Sequence, residues 1–287
     1  MKQYLSLVKF SHTIFALPFA LLGFFLGTLA SGESLSWRLF GLVLLCMVFA
    51  RSAAMAFNRY LDRDIDLQNP RTASREIPAG IISAKAALRF VLLNSLLFVI
   101  TTWFINTICF LLSPIALLVI LGYSYTKRFT YLCHFVLGLG LALAPLGAYL
   151  SVTGEFAWLP LFYAGAVWLW VAGFDIIYAL QDDEFDRSLA LHSVPVKMGR
   201  SAALQLSSAL HLICGTLVIG GSLLLYRTYP AFGWLHWLAA GLFIGLLVFQ
   251  HRLVKPYDLS RVNMAFFTTN GMASLLFGAL VILDIYF

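Results

Sequence analysis

The sequence predicts an all-α integral membrane protein, a bundle of about nine transmembrane helices with a cytoplasmic-side cap formed by loops. Three observations support this. Of the 287 residues, 61% are hydrophobic and only 11% charged, with a mean hydropathy of +0.88, more apolar surface than a water-soluble domain could enclose. Apolar runs of about 20 residues recur along the whole length, each long enough to cross ~30 Å of hydrocarbon at ~1.5 Å per residue. The runs are continuously apolar and rich in Leu, Phe and Ala, without the alternation of a β-barrel strand.

The predicted spans lie roughly at 10–31, 36–57, 86–106, 108–125, 131–150, 158–180, 202–226, 231–250 and 263–284. The first is too long for a signal-peptide core and has no convincing small-residue cleavage site, so it is expected to remain as a span. In the second, LFGLVLLCMVFA is followed by Arg51, the one charge before the polar stretch NRYLDRDID. The fifth contains GLGLALAPLG, which reads as helix packing through small residues with a kink at Pro145. The sixth contains Asp175 and runs into QDDEFD. With no soluble insert or flexible linker, residues 1–287 are expected to form a single transmembrane domain. The cysteines are scattered, and the six histidines form no metal-ligand spacing, so packing or surface roles are expected for both.

Basic residues segregate when the spans are counted through the chain. Lys2 and Lys9 precede the first; Arg59, Arg63, Arg71, Arg75 and Lys85 follow the second; Lys127 and Arg128 follow the fourth. Arg187, Lys197 and Arg200 follow the sixth, and Arg252, Lys255 and Arg261 the eighth. The positive-inside rule then places the N-terminus and the loops 58–85 and 182–201 in the cytoplasm, the chain lying in a bacterial inner membrane. Orientation and contact with anionic membrane lipid account for the net charge of +6, and no nucleic-acid partner is expected.

Both long inner loops begin with carboxylates at helical spacing. Asn58, Asp62 and Asp66 stand at i, i+4 and i+8, on one helical stripe, and Asp182 and Asp186 repeat the interval. Like charges so placed repel, more so at a poorly hydrated boundary, which calls for a bound cation. Hard oxygen ligands without His or Cys suit Mg²⁺ or Mn²⁺, and Mg²⁺ is commonly shared with substrate phosphates. Two such clusters, expected to face each other as halves of a pseudo-repeat, suggest metal ions gripping a diphosphate. Seven residues before Asn58 and Asp182, about 10 Å deeper on each helix, stand Arg51 and Asp175, with Tyr178 between Asp175 and Asp182. Either Arg51 and Asp175 pair, or they line a shared polar pocket where Arg51 could hold a carboxylate.

RSAAMAFNRYLDRDID, PRTASREIPAG, GYSYTKRFT, and DIIYALQDDEFD followed by LHSVPVKMG together resemble, in content and order, the UbiA superfamily of membrane prenyltransferases. The resemblance spans nearly the whole chain and rests on NxxxDxxxD at Asn58, Asp62 and Asp66, and DxxxD at Asp182 and Asp186. It implies transfer of an isoprenoid chain from a polyprenyl diphosphate to an acceptor, usually an aromatic ring. It also implies that Asp62, Asp66, Asp182 and Asp186 bind Mg²⁺, that Asn58 and Lys127 contact the diphosphate, and that Arg71 and Arg75 cap it. Asp175 and Tyr178 would lie near the reacting carbons. Arg51 favours an aromatic acid: 4-hydroxybenzoate, as in ubiquinone synthesis, or a dihydroxynaphthoate, as in the futalosine route to menaquinone. A transporter with a midplane site at Arg51 and Asp175 is the alternative from another class, but the polar groups gather at one face and leave the outer half of each span apolar.

Overall fold

A computed structural model of the protein describes residues 2–8, 15–229 and 232–286. Lys9, His12 and the first residues of the predicted 10–31 span lie outside these. The helices are α1 (Lys2–Leu7), α2 (Leu17–Ser31), α3 (Trp37–Leu61), α4 (Arg63–Gln68), α5 (Ala84–Trp103) and α6 (Thr107–Thr126). They continue with α7 (Cys133–Thr153), α8 (Trp158–Ala179), α9 (Asp183–Ser188), α10 (Val194–Thr228) and α11 (Leu235–Leu253). A π-helical turn, Met264–Thr269, leads into α12 (Asn270–Asp284).

Within the described residues each predicted span overlaps a helix, but seven helical stretches, not nine, are long and apolar enough to cross a membrane: α3, α5, α6, α7, α8, α10 and Met264–Asp284. Among the others, α2 is apolar but has 15 residues, and α11 ends in the polar Gln250, His251 and Arg252. Serine N-caps start three helices: Ser36 Oγ accepts from the Leu39 amide, Ser83 Oγ from Ala86 and Ser193 Oγ from Val196. Within α10 the backbone breaks at Gly199 (φ 80°, ψ 164°), a left-handed φ that glycine tolerates, so the long membrane-crossing segment begins only after it.

The chain forms two compact units. The first contains α1 and α3 to α6, with α3 packed along α5 and α1 against α3. The second contains α2 and α7 to α12, and α8 is its central helix, packed on α7 and α10, while α2 packs on α7 and α11 on α12. Trp170 on α8 is fully buried among Phe19, Phe174 and Phe243, with ring centroids 5.1–5.6 Å away. The predicted small-residue packing of α7 is present: a Cβ at Gly138 would stand 2.4 Å from the Trp168 carbonyl oxygen, and one at Gly23 on α2 2.1 Å from that of Pro145.

Apolar residues also point outward, as a lipid solvent requires: Leu118 on α6 and Leu212 on α10 are each 74% exposed. Exposed tryptophans sit at the opposite ends of the units from the acidic motifs. In the first unit Trp37 opens α3 and Trp103 closes α5; in the second Trp158 opens α8 and Trp234 precedes α11. Within each unit, exposed indole rings at helix ends suit a membrane–water interface.

Candidate active site

In the first unit α3 carries Arg51 and Asn58 and stops at Leu61, because Asp62 leaves helical geometry (φ −89°, ψ 6°) before α4 restarts. The i→i−4 bonds nevertheless cross the break: the Asp62 amide donates to the Asn58 carbonyl at 2.9 Å, and the Asp66 amide to that of Asp62 at 2.7 Å. The predicted stripe therefore survives in two short pieces. Asn58 Nδ2 also donates to Asp62 Oδ2 at 3.2 Å. Asp62 is 2% exposed and Asp66 4%, whereas Asp64 points to solvent beside Arg63.

The loop after α4 closes over these carboxylates. Thr72 Oγ1 donates to the Asp66 carbonyl at 3.0 Å, and Arg75 Nη1 reaches both Asp66 carboxylate oxygens, at 2.7 and 2.8 Å. Arg71 is exposed, its amide donating to Asn69 Oδ1 at 3.0 Å. Glu76, which the sequence reading passed over, anchors the loop to Arg59, which was read there only as a marker of orientation: buried Glu76 lies 3.8 Å from the Arg59 guanidinium and accepts a hydrogen bond from Ser6 on α1. Arg59 lies one position from Asn58, and its buried acid partner was the missing signal.

In the second unit the same local design recurs. After α8 the chain tightens through i→i−3 bonds, Gln181 amide to Tyr178 carbonyl and Asp182 amide to Ala179 carbonyl, at 3.3 and 3.1 Å. Asp182 then takes up φ −111°, ψ 4°, close to Asp62, precedes a six-residue helix as Asp62 does, and accepts from the Asp186 amide at 2.7 Å. This backbone match supports the internal echo read from the sequence. Asp182 and Asp186 are half-buried, while buried Asp183 is taken up by Arg200 through two bonds of 2.8 and 2.7 Å, and exposed Glu184 joins it at 3.0 Å.

The segment after α9 is stitched residue by residue. The Leu191 amide bonds the Asp186 carbonyl at 2.9 Å and the Ala190 amide that of Arg187 at 3.2 Å, the paired bonds of a Schellman motif, with Ala190 at φ 52°. The His192 amide donates to the Lys127 carbonyl at 2.7 Å, tying the Lys127 loop to the second acidic motif. On α8, Asp175 Oδ2 is 2.7 Å from His134 Nδ1, so its partner in this unit is a histidine that the sequence reading had assigned to packing or surface roles. The Tyr178 ring stacks on Phe266 at 4.0 Å and meets Phe267 edge-on at 5.9 Å.

The donor chemistry fits Mg²⁺. Among the described residues no three His, Cys, Asp or Glu side chains gather into a closed metal cage. Mg²⁺ does not require one, since it is usually held by one or two carboxylates with water and substrate phosphate completing the shell. Asp62 with Asp66, and Asp182 with Asp186, are carboxylate pairs of that kind.

Residues 16–272 match the profile of the UbiA prenyltransferase family. The 4-hydroxybenzoate octaprenyltransferase of Aliivibrio fischeri strain MJ11 is 34% identical over 257 residues, covering 85% of this chain and 83% of its own length. That of Herminiimonas arsenicoxydans is 28% identical over 263 residues, covering 88% and 87%. Among solved structures, a UbiA homologue from Aeropyrum pernix K1 superposes with a TM-score of 0.83 at 34% identity, covering 96% of this chain and 98% of its own. A UbiA homologue from Archaeoglobus fulgidus bound to GPP and Mg²⁺ superposes with a TM-score of 0.76 at 24% identity, covering 99% and 100%.

Proposed function

The chain belongs to the UbiA prenyltransferase family, and on that premise we propose that it transfers a polyprenyl chain from an allylic diphosphate to an aromatic acid, 4-hydroxybenzoate, in respiratory quinone synthesis. The observation that carries this reading is the duplicated carboxylate design, Asp62 with Asp66 and Asp182 with Asp186, each pair beginning at an aspartate of similar backbone conformation that breaks the helix. The relatives named for octaprenyl transfer to 4-hydroxybenzoate support the same chemistry and acceptor.

The four aspartates would hold Mg²⁺ on the donor. When bound, Mg²⁺ neutralises diphosphate charge and so eases departure of that leaving group. Asn58 and Lys127 donate to the diphosphate oxygens, and Arg71 and Arg75 close over it from their loop. Arg51, two turns deeper than Asn58, binds the acceptor carboxylate. Asp175 accepts the acceptor's phenolic proton, which raises electron density at the ring carbon beside the hydroxyl. That carbon bonds to the allylic carbon as its C–O bond to diphosphate breaks; the ring's displaced proton then passes to the released diphosphate, and Asp175 returns its proton to the oxygen, which restores the phenol. Tyr178, held by Phe266 and Phe267, keeps an aromatic wall beside the reacting carbons. The whole chain acts as one catalytic domain in a bacterial inner membrane, with N-terminus and acidic motifs on the cytoplasmic side and the prenyl tail among helices and lipid.

Incubation of the purified protein with Mg²⁺, a prenyl diphosphate and a panel of aromatic acids that includes 4-hydroxybenzoate and a dihydroxynaphthoate, followed by mass spectrometry, tests this. Mg²⁺-dependent prenylated 4-hydroxybenzoate is the expected product. A product only from the naphthoate moves the assignment to menaquinone synthesis. Asp62→Ala and Asp182→Ala should each abolish turnover while the protein still folds, and near-normal activity in either contradicts the metal role.

A further inference from the structure

His134 lies in the first turn of α7, 3% exposed, 41 residues from Asp175 in sequence and touching it in space. Its Nδ1 stands 2.7 Å from Asp175 Oδ2. Its other nitrogen, Nε2, accepts a hydrogen bond of 3.3 Å from the Val194 backbone amide, in the first turn of α10. A backbone N–H can only donate, so Nε2 must present its lone pair and the ring proton sits on Nδ1. The histidine thereby aims its Nδ1–H at Oδ2.

Asp175 is left with one oxygen engaged. Among the described residues Oδ1 takes no protein donor, and the side chain keeps 23% of its surface accessible. A carboxylate on a helix can swing about two side-chain torsions, and pinning one oxygen removes that freedom and presents the other in a single direction. The anchor on the far side of the ring is unusually firm: Val194 is fully buried, and the segment before it is tied by the His192 amide to the Lys127 carbonyl and by Ser193 Oγ to the Val196 amide.

We propose that His134 is a positioning residue for the transfer reaction, holding Asp175 so that Oδ1 faces the acceptor hydroxyl. The proposal rests on the role given to Asp175 above, and it names a residue whose contribution is made entirely through another side chain. The His134 ring meets Asp175, the Val194 amide and the neighbouring Cys133 side chain, and its effect should fall on kcat more than on the KM of the prenyl diphosphate.

The two ring nitrogens can be separated by substitution. In His134→Asn the amide nitrogen stands near the place of Nδ1 and preserves the donor to Asp175, while the bond to Val194 is lost. In His134→Gln the amide extends to the place of Nε2, where its oxygen can accept from Val194, while the donor to Asp175 is lost. Turnover of purified protein at saturating prenyl diphosphate, with thermal unfolding in detergent as a second measurement, reads both. Expected is a kcat for His134→Asn close to wild type and a loss of roughly tenfold or more for His134→Gln, with the KM for the diphosphate unchanged in both and the order of unfolding midpoints reversed. A His134→Gln kcat equal to or above that of His134→Asn, or wild-type kcat in both, overturns the proposal and leaves the histidine as a strut for α10. Asp175→Asn is the control: wild-type turnover there refutes the catalytic role of Asp175 itself, whatever the order of the His134 variants.

Discussion

Asp66 is a carboxylate that the fold has nearly removed from water, and one guanidinium nitrogen of Arg75 reaches both of its oxygens. Removing one partner of a buried pair leaves an uncompensated charge, at a cost of about 3–5 kcal/mol when the pair is fully enclosed. Arg75 is 26% exposed, so solvent screening lowers that to the order of 1–3 kcal/mol here. A cation that binds Asp66 competes with Arg75 for the same oxygens. Arg75→Ala should therefore lower the unfolding midpoint in the absence of Mg²⁺ and gain more from added Mg²⁺ than wild type does, because a ligand that binds only the folded state stabilises it by mass action. Thermal unfolding against Mg²⁺ concentration checks this, and equal Mg²⁺ responses would show that Asp66 does not face the metal. Arg51 supports a different expectation. It serves ground and transition states alike by holding the acceptor's carboxylate, so Arg51→Ala should raise the acceptor KM with little change in kcat; an unchanged KM removes it from the acceptor pocket. Legibility at this scale followed separation along the chain. Asn58, Asp62 and Asp66 could be read because covalent spacing and helical pitch alone place them on one stripe. His134 with Asp175 and Arg59 with Glu76 could not, because those partnerships are made by how separate segments pack.

Helix termini explain the next level. Hydropathy marks where a helix crosses lipid but carries no information on how the backbone turns once it leaves, and so the loops were read as opening at helical spacing with no sign of the breaks at Asp62 and Asp182. In both motifs the i→i−4 bond that leaves the break survives, Asp66 amide to Asp62 carbonyl and Asp186 amide to Asp182 carbonyl, so the four-residue spacing of the carboxylates still describes the backbone there. The end of α9 was equally silent, because its Schellman motif has alanine where glycine is the usual residue. At φ 52° an alanine Cβ crowds the neighbouring carbonyl, a strain of order 1 kcal/mol that glycine escapes. Ala190→Gly should therefore leave the fold at least as stable, with a gain of up to about 1 kcal/mol, offset in part by the greater freedom of glycine in the unfolded chain. Ala190→Val should lower the unfolding midpoint, since a β-branched side chain tolerates this conformation least. If Ala190→Val unfolds at the wild-type midpoint, the left-handed turn after Asp186 is not maintained in solution.

For the molecule as a whole, composition and periodicity were sufficient for an all-α membrane fold, because lipid permits few ways to satisfy a backbone. The bias of basic residues then chose an orientation, and the exposed tryptophans Trp37, Trp103, Trp158 and Trp234 add an independent marker at the helix ends away from the acidic motifs. These lines predict the accessibility of two positions outside the proposed machinery. Asp64 is exposed on α4 beside the first motif, and Trp158 is 76% exposed at the opposite end of α8. The four native thiols are free but half-buried or buried, so in a background where they are replaced by alanine a single introduced cysteine can report its side. In intact spheroplasts a membrane-impermeant maleimide should label Trp158→Cys at once and Asp64→Cys only after permeabilisation. The opposite order would place the acidic motifs on the outer face, where a diphosphate made in the cytosol, whose charged head does not cross hydrocarbon unaided, could not reach them. Labelling is thus a test of function as well as of topology, since the proposed donor can be used only from the side on which it is made.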